Sequence, residues 1–341
     1  MSTVKDIAKR ARVSVGTVSN VLTDALPVSA VRRERVLAAI RELDYHPNAV
    51  ARSLKLRRTK MLGMIISDIT NPFFPQLVRG AEDAALQRGY LLITFNTDDR
   101  IEREKQVLSV LRTRRVDGVM LVIAPSAGDV THIRSTLASG IAIVCLDRLP
   151  RGIHVDSVTV DNASGARECV QHLLSLGHRR IAMITGSRTL QTARERLRGY
   201  KEAFREAGLP VSPEWVREGD FRSESGYRLG IELLSGDRRP SALFVANGMM
   251  ALGVLKALEA LSVNCPRDIA LATFDDLPLF ETLRPHLTAV AQPAYAIGRK
   301  GVELILQRIE SKQMDDPPVT VRLPTELKIR QSTPAFRKLP G

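Results

Sequence analysis

The sequence predicts a mixed α and α/β protein, in which a small unit of three helices precedes a larger body of two α/β lobes. Three observations support this fold class. The chain has 341 residues, which is too long for a single ordinary core. Apolar residues recur at helical spacing within the first sixty residues, whereas from Leu62 onward short apolar runs alternate with amphipathic helices.

The basic charge is concentrated at the N-terminus. Residues 1–60 contain thirteen Lys or Arg and five Asp or Glu, a net charge of +8 out of the +13 of the whole chain. A compact basic segment joined to a body of nearly balanced charge favours binding to a polyanion, most often nucleic acid. A solvated basic tail is the alternative, but such tails lack the apolar periodicity of this segment.

The helical periodicity of the first 45 residues predicts three helices around one small core. The first helix would bury Val4, Ile7, Ala8 and Ala11. After a three-residue turn, Ser14 can cap a second helix, whose inward residues would be Val15, Val18, Val21 and Leu22. A third helix, capped by Ser29, would bury Val36, Leu37, Ile40 and Leu43. The first two helices form a helix-turn-helix, whose second helix enters the DNA major groove.

The outer side of the second helix carries residues that would contact DNA. Val15 can touch a thymine methyl group, and Asn20 can pair with an adenine edge or contact a phosphate. These positions could instead be the solvated surface of a small bundle, but the basic charge favours the DNA interpretation. The predicted DNA-contacting residues of this unit are Thr3, Lys5, Ser14, Val15, Gly16, Thr17, Ser19 and Asn20.

Residues 47–58, PNAVARSLKLRR, begin like a helix but are too short to be stable alone. An isolated helix of fewer than about 12 residues is marginal in water. Apolar groups such as Leu54 are surrounded by cations such as Arg52 and Lys55, which suits no ordinary protein core. These residues therefore raise the question of which surface such a helix would fold against.

The segments KDIAKRARVSVGTVSNVL and ERVLAAIRELDYHPNAVARSLK resemble the N-terminal domain of the LacI/GalR family of bacterial transcription regulators. In that family the segment matching PNAVARSL is a hinge helix that forms only on operator DNA, where a leucine wedges into the central base step. The resemblance implies that Leu54 is this wedge and that Asn48, Arg52 and Lys55 contact DNA beside it. It also implies a homodimer on a pseudo-palindromic double-stranded operator, because the hinge helices act in pairs.

Residues 61–341 contain two series of buried strands separated by amphipathic helices, which predicts two parallel sheets in two lobes. The first series is LGMIISD, LLITFNT, GVMLVI and IAIVCLD, and the second is SVTVDN, RIAMITG, WVREGD, ALFVANG and IALATFDD. The remaining segments are too few for a third lobe, so we expect the chain to cross between lobes near Asp161, Gln292 and Pro324. This arrangement resembles the type I periplasmic-binding-protein fold.

These patterns predict three domains. Residues 1–46 would form the helix-turn-helix domain, residues 47–60 the hinge helix and linker, and residues 61–341 a ligand-binding and dimerisation body. Within the body, lobe one is predicted to contain about 61–161 and 290–322, and lobe two about 162–289 and 323–341.

Ligands of open parallel sheets bind beyond the carboxyl ends of the strands. The residues at those ends are carboxylates, amides and aromatic rings, which together suit a polyhydroxylated ring. Any single Asp or Asn there could instead cap the next helix. The family resemblance supports the binding interpretation at several of these positions. The predicted ligand-binding residues are Asp68, Asn71, Phe73, Phe74, Asp147, Thr192, Arg196, Phe221, Asn247 and Asp275.

The sequence has no motif for phosphate cradling, nucleophilic hydrolysis or metal binding, so no enzyme activity, cofactor or metal is expected. Three scattered cysteines favour a reducing compartment, and neither a secretory signal nor a membrane-spanning apolar run is found. We therefore expect a cytoplasmic transcription regulator, a repressor, whose operator affinity is controlled by a monosaccharide such as ribose or a relative. A regulator of the same family with a nucleobase or phosphorylated co-repressor is the alternative.

Overall fold

The computed structural model describes residues 2–23, 26–45, 58–126, 128–236, 238–311 and 316–336. The chain divides into two compact units, Met1–Thr59 and Lys60–Gly341. Across the described ranges, every helix falls short of the length and apolar content that a bilayer crossing requires.

Three helices build the first unit: α1 (Val4–Ala11), α2 (Val15–Thr23) and α3 (Ala30–Glu42). A capping box begins α1, because the Thr3 hydroxyl accepts from the Asp6 N–H and the Asp6 carboxylate accepts from the Thr3 N–H. Ser14 caps α2 as predicted, since its hydroxyl accepts a 3.1 Å hydrogen bond from the Thr17 N–H. The buried core is aliphatic and consists of Ile7, Ala8, Ala11, Val18, Val21, Val36 and Ala39.

Three details of this unit correct the prediction. Leu37 is 43% exposed. The inward face of α3 is formed by Val36 and Ala39, so Leu37 lies on the outer face. Ser29 occupies the N-cap position of α3, but its side chain makes no capping hydrogen bond. Val15 is 46% exposed and therefore belongs to the outer surface of α2, not to its inward face.

Twelve strands in the described ranges form the sheets of the second unit. In chain order they are β1 (Met61–Ile66), β2 (Leu91–Asn96), β3 (Gly118–Leu121), β4 (Ala142–Leu146), β5 (Asp156–Val160), β6 (Ile181–Thr185), β7 (Val216–Glu218), β8 (Ala242–Val245), β9 (Ala270–Phe274), β10 (Thr288–Ala291), β11 (Thr320–Leu323) and β12 (Glu326–Lys328). The first sheet has the order β11-β5-β4-β3-β1-β2, with all neighbours parallel. The second has the order β12-β10-β9-β8-β6-β7, in which β12 runs antiparallel.

Helices cover both faces of each sheet, which explains why central strands such as β4 and β6 are buried along their whole length. In chain order the helices are α4 (Phe73–Gln87), α5 (Ile101–Thr113), α6 (Thr131–Ala138), α7 (Asn162–Ser175), α8 (Gln191–Glu206), α9 (Ser223–Leu234), α10 (Gly248–Ala260) and α11 (Ala294–Glu310). We call the first sheet with α4, α5, α6 and α11 lobe one, and the second sheet with α7 to α10 lobe two.

The chain crosses between the lobes three times, after β5, after β10 and after β11. β5 pairs with β4 and β11, so SVTVDN belongs to the lobe-one sheet. Its assignment to the second series of strands is wrong, whereas the predicted bounds of lobe one, 61–161, include β5. The sequence of a short apolar strand does not show which sheet it joins, because that depends on its pairing with distant segments of the chain. β10 lies wholly in lobe two, beside β9, so the return to lobe one follows Ala291.

Candidate functional site

A cavity lies where the carboxyl ends of the strands in the two lobes meet. Eleven residues line it: Asn71, Phe73, Phe74, Asp147, Arg148, Thr192, Arg196, Phe221, Asn247, Asp275 and Gln292. Nine of the ten predicted ligand-binding residues are among them. The structure thus brings together predicted side chains that lie up to 204 positions apart in the sequence, from Asn71 to Asp275.

Asp68 is the predicted residue that does not line this cavity. Its carboxylate accepts hydrogen bonds from the N–H and the hydroxyl of Thr70, at 2.9 and 2.6 Å. The Asp68 carboxylate therefore stabilises the local turn. Such a structural role is the alternative to ligand binding for any Asp at a strand end.

Three lining residues have left-handed backbone conformations within three residues of a strand end. The φ angles are 64° at Asp147 after β4, 69° at Phe221 after β7 and 69° at Asp275 after β9. Asp tolerates this region better than Phe, which pays a steric cost of about 1 kcal/mol there. Strained backbone of this kind concentrates at binding sites, where the surrounding structure holds a side chain in one orientation.

The lobe-one wall carries a buried cation that is matched by acids of its own lobe. Arg148 donates through Nη1 to Asp99 at 2.5 Å and to the Ile123 carbonyl at 3.2 Å, and its Nε lies 3.6 Å from Asp147. Although burial alone would lower it, the pKa of Arg148 is raised by Asp99 and Asp147. Burial raises the pKa of the Asp147 carboxyl, against the opposing effect of the arginines Arg148 and Arg196.

The lobe-two wall carries a buried cation that is held by neutral groups. Arg196, on α8, donates through Nε to Asn162 Oδ1 at 2.8 Å and through Nη1 to the Ala246 carbonyl at 2.7 Å. Its guanidinium carbon lies 3.8 Å from the centre of the Phe274 ring, a cation–π contact. Burial lowers the pKa of Arg196, and the fields of Asp275 and Asp147 offset only part of that effect.

Phe221 reaches the cavity because Gly186 has no side chain. A Cβ atom at Gly186 would lie 2.2 Å from the end of the Phe221 ring. The ring is further fixed by Asn247, whose amide donates to the Phe221 carbonyl at 2.9 Å. The side-chain oxygen Asn247 Oδ1 accepts from the Met250 N–H at 2.9 Å and caps α10, so this residue serves both as helix cap and as cavity wall.

The rim opposite Phe221 is aromatic and belongs to lobe one. The Phe73 and Phe74 rings meet edge to face with centroids 5.1 Å apart. Asn71 Oδ1 accepts a 3.1 Å hydrogen bond from the Phe73 N–H, which fixes the start of α4. Aromatic faces from both lobes therefore border a cavity that is otherwise polar.

Sequence reasoning missed Arg148 and gave Gln292 only a connecting role. Arg148 directly follows Asp147 at a strand end, so its position was a usable signal. Gln292 donates to Asp275 Oδ1 at 2.5 Å, a contact that depends on β10 lying beside β9. Within the described part of the chain, three buried atoms of the wall lack a hydrogen-bond partner: Asp147 Oδ1, Arg148 Nε and Gln292 Oε1.

The two walls lie close together. The cavity has a free volume of about 30 Å³, which is room for only ~2 water molecules. Two hydrogen bonds join the lobes beside it: the Leu149 N–H donates to Gln191 Oε1 at 3.1 Å, and Arg222 Nη2 donates to the Asp98 carbonyl at 2.9 Å.

The predicted DNA-contacting residues fall into three groups: exposed residues, half-buried residues and residues that the structure does not describe. The exposed ones are Thr3, Lys5, Ser14, Val15 and Gly16, and the half-buried ones are Thr17, Ser19 and Asn20. The Thr3 and Ser14 hydroxyls already serve as helix caps. Asn48, Arg52, Leu54 and Lys55 lie outside the described residues.

Two family descriptions match the chain. They are "Bacterial regulatory proteins, lacI family" over residues 3–48 and "Periplasmic binding protein-like domain" over residues 170–333. The HTH-type transcriptional repressor PurR of Pasteurella multocida (strain Pm70) is 35% identical over 332 residues, which cover 97% of this chain and 98% of the relative. The chain belongs to the LacI family of bacterial regulatory proteins.

Solved structures of LacI-family proteins have the same fold. The lac repressor dimer bound to operator and the anti-inducer ONPF has a TM-score of 0.85 and 29% identity, covering 98% of this chain and 99% of that one. The LacI family transcriptional regulator from Enterococcus faecium with bound ribose has a TM-score of 0.72 and 30% identity, covering 81% and 100%.

These comparisons confirm the predicted family and the predicted fold class, a helix-turn-helix domain followed by a two-lobed body of the periplasmic-binding-protein type. The relatives are DNA-binding repressors, so the chain is a transcriptional repressor and not an enzyme. Repressors of the LacI family bind operator DNA and small-molecule effectors.

Proposed function

We propose that this LacI-family repressor responds to a monosaccharide, ribose or a close relative, which binds between the two lobes. The proposal rests on one observation: carboxylates, arginines, amides and aromatic rings from both lobes line a single cavity. Sugars require this combination, because each hydroxyl is both a donor and an acceptor and each ring has apolar C–H faces.

Each wall offers complementary partners for sugar hydroxyls. Asp147 and Asp275 can accept hydrogen bonds, and Arg148 and Arg196 can donate them. Asp147 Oδ1, Arg148 Nε and Gln292 Oε1 are buried without partners in the described chain, so two acceptors and one donor remain to be satisfied. Phe73, Phe74 and Phe221 supply the apolar surfaces.

The charge balance favours a neutral effector over a phosphorylated one. The two lining arginines face two lining carboxylates, and Asp99 adds a third acid beside Arg148. A phosphate would bring about two more negative charges into a buried site whose cations are already matched, which is costly. A nucleobase has few hydroxyls to donate to two carboxylates, so it suits this cavity less well than a sugar.

The solved relative from Enterococcus faecium that contains ribose supports the choice of sugar. A monosaccharide is larger than the present free volume of about 30 Å³, so the lobes must separate to admit it and close on it afterwards. The interlobe hydrogen bonds of Arg222 and Gln191 hold the lobes at their present separation, so they would break when the sugar enters, and the lobes would close on it at a wider separation.

The response would reach DNA through the predicted hinge helix of residues 47–60, in a homodimer that acts on a pseudo-palindromic operator in the cytoplasm. Ligand affinity that differs between the open and closed lobes shifts their balance, and the hinge helices would form or melt accordingly. In this scheme, Leu54→Ala weakens operator binding much more than binding to unrelated DNA. Equal loss on both DNAs would remove the wedge from the scheme.

A thermal-shift screen of the full-length protein tests the effector. The panel contains D-ribose, other pentoses and hexoses, ribose 5-phosphate, hypoxanthine and guanine. We expect stabilisation by a neutral sugar, and a change in operator affinity at the same sugar concentration by fluorescence anisotropy. Stabilisation only by a nucleobase or a phosphorylated compound would replace the sugar with that class.

A further inference from the structure

A second and larger cavity lies at the opposite edge of the lobe-two sheet. Its free volume is about 690 Å³, within the range of small-molecule sites. It is lined by residues that precede β6, β8 and β9, whereas the effector cleft lies beyond the carboxyl ends of these strands. Strands of four or five residues, about 15 Å long, separate the two sites.

The walls of this distal cavity are largely apolar, with one aromatic ring available for stacking. Leu234, Val263 and Ile269 are buried behind it. Phe336 is 42% exposed and lies on the cavity wall. The Phe336 N–H donates to the Leu176 carbonyl at 2.8 Å, and the ring meets the His178 ring in a T-shaped contact with centroids 5.6 Å apart, which together hold the ring in place.

Two arginines at the cavity carry charges that the described chain does not neutralise. Arg180 and Arg239 both line it, and among the described residues no carboxylate forms an ion pair with either. Strand pairing brings Arg180 and Arg239 together. Ser241, which follows Arg239 by two residues, donates its backbone N–H to the Arg180 carbonyl at 2.8 Å. Arg180 and Arg239 therefore approach the cavity from neighbouring strands.

The other polar groups of the cavity are already used within the protein. Arg267 pairs with Asp268 at 3.0 Å, so these two charges cancel. His178 contacts Ser241 Oγ through Nδ1 and the Pro334 carbonyl through Nε2, both at 3.1 Å, and is thus a structural residue of the wall. The net charge offered to a ligand comes from Arg180 and Arg239.

We infer that the distal cavity binds a phosphate monoester with a flat aromatic body, of which a nucleoside monophosphate is the simplest example. Arg180 and Arg239 would hold the phosphate, since guanidinium groups form paired hydrogen bonds with phosphate oxygens. The aromatic body would stack on Phe336 against the apolar wall. This site would be separate from the effector cleft and independent of the proposed sugar.

Calorimetric titration of the full-length protein with adenosine 5′-monophosphate tests this site. We expect saturable binding to the wild type and a loss of about tenfold or more in both Arg180→Gln and Arg239→Gln, because each removes charge-assisted hydrogen bonds. Adenosine alone and inorganic phosphate alone should bind much more weakly, since each lacks half of the recognised molecule.

Arg238→Gln is the matched control. Arg238 is an exposed neighbour of Arg239 that does not line the cavity, so this variant loses the same charge and should keep wild-type affinity. Arg196→Gln should also keep it, which separates the distal cavity from the cleft. Absence of binding to the wild type, wild-type affinity in Arg180→Gln and Arg239→Gln, or binding of adenosine as tight as that of adenosine 5′-monophosphate would overturn the proposal.

Discussion

The two walls of the cavity between the lobes hold their buried arginines through different partners. In lobe one, Arg148 is paired with Asp99 at 2.5 Å and lies near Asp147, so its charge is matched within its own lobe. In lobe two, Arg196 is held by an amide, a backbone carbonyl and an aromatic ring. Lobe one therefore matches the charge of its arginine with acids of its own lobe, although Asp147 Oδ1 and Arg148 Nε have no hydrogen-bond partner in the described chain. The charge of lobe two is only partly compensated.

This difference indicates which wall depends more on the ligand. A buried cation without an acid in contact is costly, and a hydroxyl group that accepts from it reduces that cost. A hydrogen bond to a sugar hydroxyl should therefore stabilise the charge of Arg196 more than that of Arg148. The field of Asp147 reaches Arg196 across the cleft, so closure of the lobes also stabilises the lobe-two charge.

The largest effect should follow removal of the lobe-two cation. Arg196→Gln should weaken effector binding at least about 30-fold, because it removes a buried charged donor. The effector response in operator anisotropy should disappear while operator binding without effector remains. Arg198→Gln, on the same helix but exposed and paired with Glu202, is the control and should respond normally. A normal response in Arg196→Gln would place the ligand elsewhere.

A smaller effect is expected at the lobe-one acid. Asp147→Asn should reduce sugar affinity about tenfold, since it replaces a charged acceptor. Burial raises the pKa of Asp147 above its ordinary value, so the ionised form that accepts from hydroxyls is lost at a higher pH than for an exposed Asp. Wild-type affinity should therefore fall on acidification, and the fall should begin at a higher pH than an exposed Asp would give. The Asn variant should lack this dependence, and a parallel fall in both proteins would assign it to another group.

The aromatic part of the lobe-two wall can be tested through Gly186. Gly186→Ala should displace the Phe221 ring and weaken sugar binding by about tenfold or less, a typical cost of overpacking. In Gly236→Ala the new methyl group meets no atom within 4 Å, so this variant should bind like the wild type. Calorimetry on both proteins measures the difference, and unchanged affinity in Gly186→Ala would show that the ring does not contact the ligand.

The smallest effect concerns the contact between the walls. Arg222→Ala removes the hydrogen bond to the Asp98 carbonyl, which holds the lobes together around the small cavity, and should raise sugar affinity only about two- to fivefold, the contribution of one partly exposed hydrogen bond. Arg228→Ala removes an exposed arginine from α9, the helix that Arg222 directly precedes, and serves as the reference. If Arg222→Ala bound the sugar less tightly, this hydrogen bond would also form in the sugar-bound protein.

The comparison also shows what the sequence could predict. Residues such as Asp147, Asn247 and Asp275 follow apolar strands, and the rule that ligands bind beyond strand ends was enough to group them. Asp68 satisfies the same pattern, but the neighbouring Thr70 uses its carboxylate, a local competition that spacing does not reveal.

The missed features depend on contacts between distant segments. Gln292 joins the cleft because β10 lies beside β9, and β5 joins lobe one because it pairs with β11 more than 150 residues away. Leu37 is predicted to be buried because it is apolar, but Val36 and Ala39 form the inward face of α3. The sequence pattern therefore predicts the helices and strands and their ends, whereas the pairing of the strands is seen only in the three-dimensional structure.

The most direct test of a sugar held between unequal walls is calorimetric titration of D-ribose into the wild type, Arg196→Gln and Arg198→Gln. We predict one bound sugar per chain in the wild type and in Arg198→Gln, and a severe loss in Arg196→Gln. Sugar binding of equal strength in all three proteins, or no binding of any monosaccharide to the wild type, would contradict the account.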